Sequence, residues 1–129
     1  MRKQKGVDRV KISFEIPGEF PGMNEIVTAA KQHFGTYSGM KQTFTDLVCW
    51  TAPRNHQFAG PVKVSMEWYS KNRKRDPDNI MAGQKFIFDG LVNSKVILND
   101  TQKYIVEIEH RFKVDSKNPR VIVEVEEID

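Results

Sequence analysis

A single cysteine, Cys49, leaves the chain without any possible internal disulfide, which excludes the small secreted scaffolds that depend on such bridges. A reducing compartment, the cytoplasm, is the expected setting, and Cys49 between Val48 and Trp50 reads as a packed thiol. The three histidines, His33, His56 and His110, are too scattered to form a zinc set. No apolar run approaches the roughly 20 residues of a membrane-spanning helix, and the basic opening Met1-Arg2-Lys3-Gln4-Lys5 leads into no apolar signal segment. Repeats, low-complexity tracts and linkers are missing as well.

What remains is an ordinary globular composition, with 39% hydrophobic and 29% charged residues among 129. That is enough apolar material for one soluble domain spanning 1–129. The net charge of +3 permits a nucleic-acid partner without requiring one. Its distribution is more telling. Lys71, Arg73, Lys74 and Arg75 crowd together, whereas the tail from Glu124 to Asp129 is acidic and reads as a solvated face.

Apolar residues alternate from Val10 to Ile16 and again from Val62 to Trp68, which predicts two half-buried strands. Between them, Asn24 is placed to cap a helical region that runs to about Thr51 with a break near Gly35 or Gly39. Tyr37, Met40, Phe44, Leu47 and Val48 give that region one apolar stripe, expected to be core. A second helix is predicted from about Asn79 to Val92, capped by Asp78 or Asn79 and burying Ile80, Ile87, Phe88 and Leu91. After a short apolar piece, Val96-Ile97-Leu98, two further alternating runs flank the turn-rich Asp115 to Pro119 and read as a hairpin. The order is β-α-β-α-β-β: a single α+β domain with a mixed sheet of about four strands and helices packed on it.

The chemically pointed stretch is Lys71-Asn72-Arg73-Lys74-Arg75-Asp76-Pro77-Asp78-Asn79. Cations that neutralise phosphates are followed at once by two carboxylates separated by a proline. Pro77 biases Asp76 towards an extended conformation, in which Asp76 and Asp78 share one side. Two close carboxylates repel unless a proton or a cation lies between them, and Mg²⁺ suits such a pair. Asp100, at the polar corner Asn99-Asp100, is the plausible third oxygen donor. On one continuous helix advancing about 100° per residue, Asp78, Lys85 and Asp89 would fall on a single stripe. The plain alternative is a turn, a helix cap, and salt links from the aspartates to Arg73 or Arg75, with Lys85–Asp89 a surface pair.

Arg75-Asp76-Pro77-Asp78-Asn79, then Lys85 to Leu91, then Asn99-Asp100, together resemble the signature of RusA-type Holliday junction resolvases, and Pro21-Gly22-Met23-Asn24 is similar to that family's N-terminal segment. The resemblance extends loosely over residues 10–112. It implies a homodimeric, Mg²⁺-dependent endodeoxyribonuclease of phage or prophage type, with Mn²⁺ a possible substitute, that resolves four-way DNA junctions in recombination and repair. It further implies Asp76, Asp78 and Asp100 as metal ligands and a helical lysine in support. The family's lysine position falls on Ala82 in this chain, and Lys85 lies three residues later, as an inserted turn would place it. Asn79 and Asp89 support the site, and Lys71, Arg73, Lys74 and Arg75 would hold DNA backbone. The competing expectations are a non-catalytic DNA-binding or phage structural module, with the carboxylates merely capping a helix, and a metal nuclease acting on other branched DNA.

Overall fold

The alternating segments become strands and the periodic ones helices, in the order β1 (Lys11–Pro17), α1 (Met23–Gln32), α2 (Phe34–Thr51), β2 (Val62–Ser70), α3 (Pro77–Met81), α4 (Gln84–Asn93), β3 (Ile105–Val114) and β4 (Arg120–Glu127). The computed structural model describes residues 9–32 and 34–128. The basic opening Met1 to Lys5, His33 and Asp129 lie outside the described residues. Each expected helical region is two helices, and the coarse order β-α-β-α-β-β holds. α1 ends at Gln32 and α2 begins at Phe34, so Gly35 and Gly39 both sit inside α2.

The four strands form one mixed sheet in the order β1-β4-β2-β3. β4 runs antiparallel to both β1 and β2, while β3 runs parallel to β2. The expected hairpin between the last two strands is therefore not formed, because β2 lies between them. The turn-rich segment 115–119 arches over the end of β2, and Asp115 N–H donates to Ser70 O at 2.8 Å. Five residues reach at most about 17 Å, ample for two strand spacings of about 4.8 Å each. Composition revealed a turn but not which strand it crosses.

β2 has the centre because its inward row is wholly apolar until its last residue. Val62, Val64, Met66, Trp68 and Ser70 are all buried. Val121, Val123 and Val125 of β4 join them beneath Val48 of α2 and Phe86, Ile87 and Leu91 of α4. The stripe expected on α2 packs where it was placed, with Met40, Phe44 and Leu47 partly buried against this core. Cys49 is packed too. Burial and the nearby Asp46 carboxylate push its thiol upward in pKa, which Arg54 only partly offsets. Among the described residues no helix is long and apolar enough to cross a membrane.

The helix expected from Asn79 to Val92 starts two residues earlier and is broken. Asp76 is the N-cap and Pro77 the first helical residue, a position where its missing N–H costs nothing. The chain turns at Ala82–Gly83 before α4 begins. A Cβ on Gly83 would come within 2.9 Å of Phe20 Cβ and 3.1 Å of the Trp68 ring. Only glycine lets the backbone approach this closely. Phe86 is fully buried together with Ile87 and Leu91, so the apolar face of α4 is wider than the expected one. Of the stripe expected for Asp78, Lys85 and Asp89, the Lys85–Asp89 pair is formed, at 3.8 Å.

Candidate active site

The corner where β2 ends is held by bonds that the stretch 71–79 exchanges with the loop after β1. Glu19 accepts from Lys71 N–H at 2.7 Å and pairs with Arg75 at 3.9 Å. Arg75 also donates to Phe20 O at 3.0 Å, and its side chain is only 22% exposed. Arg75 is thus a structural tie, while Lys71, Arg73 and Lys74 stay exposed. Asn72 accepts from Lys74 N–H at 2.9 Å, which tightens the bend and turns the cations outward.

Asn79 supplies the next tie. Its Oδ1 accepts from Asn24 N–H at 3.0 Å. Gly22 makes room for this, since a Cβ there would lie 2.6 Å from that same oxygen. Gly22, not Asn24, caps α1: Ile26 N–H reaches Gly22 O at 3.0 Å, and Glu25 closes the cap by accepting from Gly22 N–H at 2.7 Å. The segment Pro21 to Asn24 is therefore pinned against the start of α3.

Within this rigid frame, Asp76 and Asp78 are exposed. Asp76 is extended, with φ −72° and ψ 156°, and its carbonyl accepts from Ile80 N–H at 3.1 Å. Its carboxylate makes no capping hydrogen bond. Among the described residues neither aspartate forms an ion pair, with Arg73 and Arg75 included. The cap and salt-link roles expected for these groups are not used.

A second cluster lies where α2 meets α4. Asp89 Oδ2 is buried without a hydrogen-bond partner, but it has the ammonium groups of Lys85 at 3.8 Å and Lys41 at 4.0 Å. Asp89, Lys41, Thr45 and Asp100 share a recess of about 510 Å³. Thr45 Oγ1 is a further buried polar atom without a partner there. Lys41 went unnoticed in the sequence because nothing local marks it. Only the packing of α2 on α4 brings it to Asp89.

The structure thus groups Asp100 with Asp89 and, through Asp89, with Lys85. Asp76 and Asp78 do not line that recess. Among the described residues no three of His, Cys, Asp and Glu stand close enough to hold a metal ion together. The donors nevertheless suit Mg²⁺ or Mn²⁺ in kind, being hard carboxylate oxygens left unpaired. Mg²⁺ is commonly held by one or two carboxylates completed by substrate phosphate and water.

The protein-family model described as Endodeoxyribonuclease RusA matches residues 20–126, a span containing every candidate-site residue named in this subsection except Glu19. No curated protein matches the chain.

Proposed function

The chain belongs to the RusA endodeoxyribonuclease family, and from that premise we propose that it is a divalent-metal-dependent nuclease that resolves four-way DNA junctions by paired hydrolytic nicks. The observation that carries this reading is the state of Asp76 and Asp78. Asp76 caps and Asp78 opens the short helix α3 just beyond the buried strand β2, in a segment tied down by Glu19, Arg75 and Asn79, and among the described residues neither carboxylate makes a hydrogen bond or an ion pair.

In this reading Asp76 and Asp78 are the primary oxygen donors, and Asp100, on the recess between α2 and α4, is the third. The ion they hold supplies an acidified water and a counter-charge for the phosphate. Lys85, half-exposed beside Asp89, neutralises charge on the scissile phosphate. Lys71, Arg73 and Lys74 hold the flanking backbone, so binding falls with salt. Arg75 leaves this set because its guanidinium is engaged with Phe20 and Glu19. A two-fold dimer would address the approximate two-fold symmetry of a four-way junction with one site on each of two opposed strands.

The test uses labelled junction, fork and duplex DNA, incubated with the protein and either Mg²⁺ or EDTA. Paired nicks in the junction with Mg²⁺ alone are expected. Cleavage of forks or duplex in preference would shift the substrate, and no cleavage of any branched DNA would leave a binding module.

A further inference from the structure

The face that α2 turns to the recess beside α4 is polar. Ser38, Lys41, Gln42 and Thr45 fall at one face of a helix by their spacing, and all of them line that recess together with Asp89 and Asn93. The two helices touch right beside it. A Cβ on Gly90 would overlap Val48 and lie 3.2 Å from Thr45 O, so the backbones approach with no side chain between them. That contact fixes Asp89, the neighbour of Gly90, against α2. Apolar residues would have closed the gap next to so tight a contact, whereas this stripe leaves it open to a polar ligand.

One carboxylate there gathers two cations from different helices. Lys41 of α2 and Lys85 of α4 place their ammonium groups 4.0 and 3.8 Å from the same atom, Asp89 Oδ2. Both separations are longer than a hydrogen bond, and the oxygen has no hydrogen-bond partner. Among the described residues each ammonium therefore keeps its three donors, on side chains 46% and 51% exposed. Asp89 Oδ2 is itself buried, so a ligand arriving from solvent meets the lysines and not this oxygen. As a structural device the cluster is weak, because half-exposed ion pairs contribute little to stability. Its effect is to hold two ammonium groups near one point, no farther apart than the two distances laid end to end. A phosphate with a hydrogen bond of about 2.8 Å on each side spans such a gap.

We propose that Lys41 is a second lysine on the scissile phosphate, holding it jointly with Lys85, and that Asp89 positions both ammonium groups. Two cations on one carboxylate leave the cluster net positive, as an anion requires. Asp100 lines the same recess, so a phosphate bound there lies beside both the lysine pair and a metal ligand of the proposed function. The inference rests on that function for the identity of the phosphate, while the pairing of the lysines stands on the contact of α2 with α4.

The whole protein and a labelled four-way junction test it in two assays: binding in EDTA across a salt series, and single-turnover cleavage with Mg²⁺. Lys41→Ala should lower the salt slope of binding by about one unit and slow cleavage about 10²-fold. Lys41→Arg keeps the charge and should restore the slope. Urea midpoints of both variants should match the wild type, since the ion pair is half exposed. Asp89→Asn should bind the junction at least as tightly as the wild type, having lost a negative charge, yet cut it more slowly because the ammonium groups are no longer drawn together. A Lys41→Ala protein with the wild-type slope and cleavage rate overturns the proposal, and so does one that loses stability while keeping that slope. Wild-type cutting by Asp89→Asn overturns the positioning role. A wild type that cuts no branched DNA defeats the proposed function instead, and the salt slope in EDTA then still decides whether Lys41 holds a phosphate.

Discussion

The corner at the end of β2 and the outer edge of β3 flank the same buried strand, yet they are built on opposite terms. At the corner, side chains tie down the backbone, Glu19 at Lys71 N–H and Arg75 at Phe20 O, and among the described residues the groups left unpaired are the carboxylates of Asp76 and Asp78, with exposed Lys71, Arg73 and Lys74 around them. Along β3 the side-chain charges are partnered, and the unpaired groups are backbone donors and acceptors beneath an apolar row. A surface that leaves charge free on a rigid loop is suited to a charged ligand. One that leaves backbone and apolar area free is suited to another protein strand. The two regions meet at Trp68, whose ring packs edge-on against Phe20 beside the corner and whose indole N–H donates to His110 beneath β3 at 2.9 Å.

Removing that joint should have the largest effect. Trp68 is 3% exposed, and Trp68→Ala should cost about 3–5 kcal/mol of stability in urea or guanidinium titration. Both regions should suffer together, with cleavage and association lost at once. If either survives unimpaired, the two are independent and the shared strand does not couple them.

Asp78→Asn should separate them instead. Junction cleavage is expected to fall about 10²–10³-fold, while folding, junction binding and dimerisation persist. Near wild-type cutting by this variant would remove Asp78 from the chemistry.

A smaller effect distinguishes ties from contacts within the corner. Arg75→Ala removes a guanidinium from Phe20 O and Glu19, and should cost about 1–3 kcal/mol of stability. Lys74→Ala should leave stability unchanged and reduce the steepness of salt-dependent DNA binding by about one unit. The reverse outcome would exchange the two roles.

The two regions also differ in how far the sequence revealed them. Strands showed their period of two, and Met40, Phe44, Leu47 and Val48 of the α2 stripe packed as expected, because burial of a half-apolar element depends mostly on its own pattern. The corner was legible as chemistry because its residues are contiguous from Lys71 to Asn79. What could not be read was which of them the fold consumes. Arg75 and Asn79 look like their neighbours until the loop of Glu19 to Asn24 packs against them. The break at Gly83 was hidden for the same reason, since the close approach of Phe20 and Trp68 is a tertiary fact. The β3 edge was obscured by a reasonable inference. Two alternating runs joined by a short turn suggest a hairpin, and a hairpin would have paired one side of β3 with β4. Only the insertion of β2 between them shows that β3 is the terminal strand of the sheet among the described residues.

The finest test of the joint is its response to acid. His110 Nδ1 accepts the Trp68 indole N–H, and its Nε2 lies 3.2 Å from Gln84 Oε1, so the neutral ring with its proton on Nε2 satisfies both contacts. Burial holds its pKa below the usual 6.5. A lowered histidine pKa means that, as pH falls below about 6.5, the unfolded chain takes up a proton that the native state refuses; stability declines from there and levels off once the native ring titrates. Glu67 and Asp115 are held below the usual carboxylate range chiefly by the Tyr69 hydroxyl and the Arg120 guanidinium, and lose their contribution only under stronger acid. Urea midpoints at pH 7.5 and 5.5 should therefore fall with acidification in the wild type and less so in His110→Gln, the difference between the two proteins isolating this one ring. Equal slopes would mean that the His110 ring titrates alike in the native and the unfolded chain, as a solvated ring does. The buried link from the corner through Trp68 to the centre of the β3 edge would then be absent, and the two regions would share only a strand.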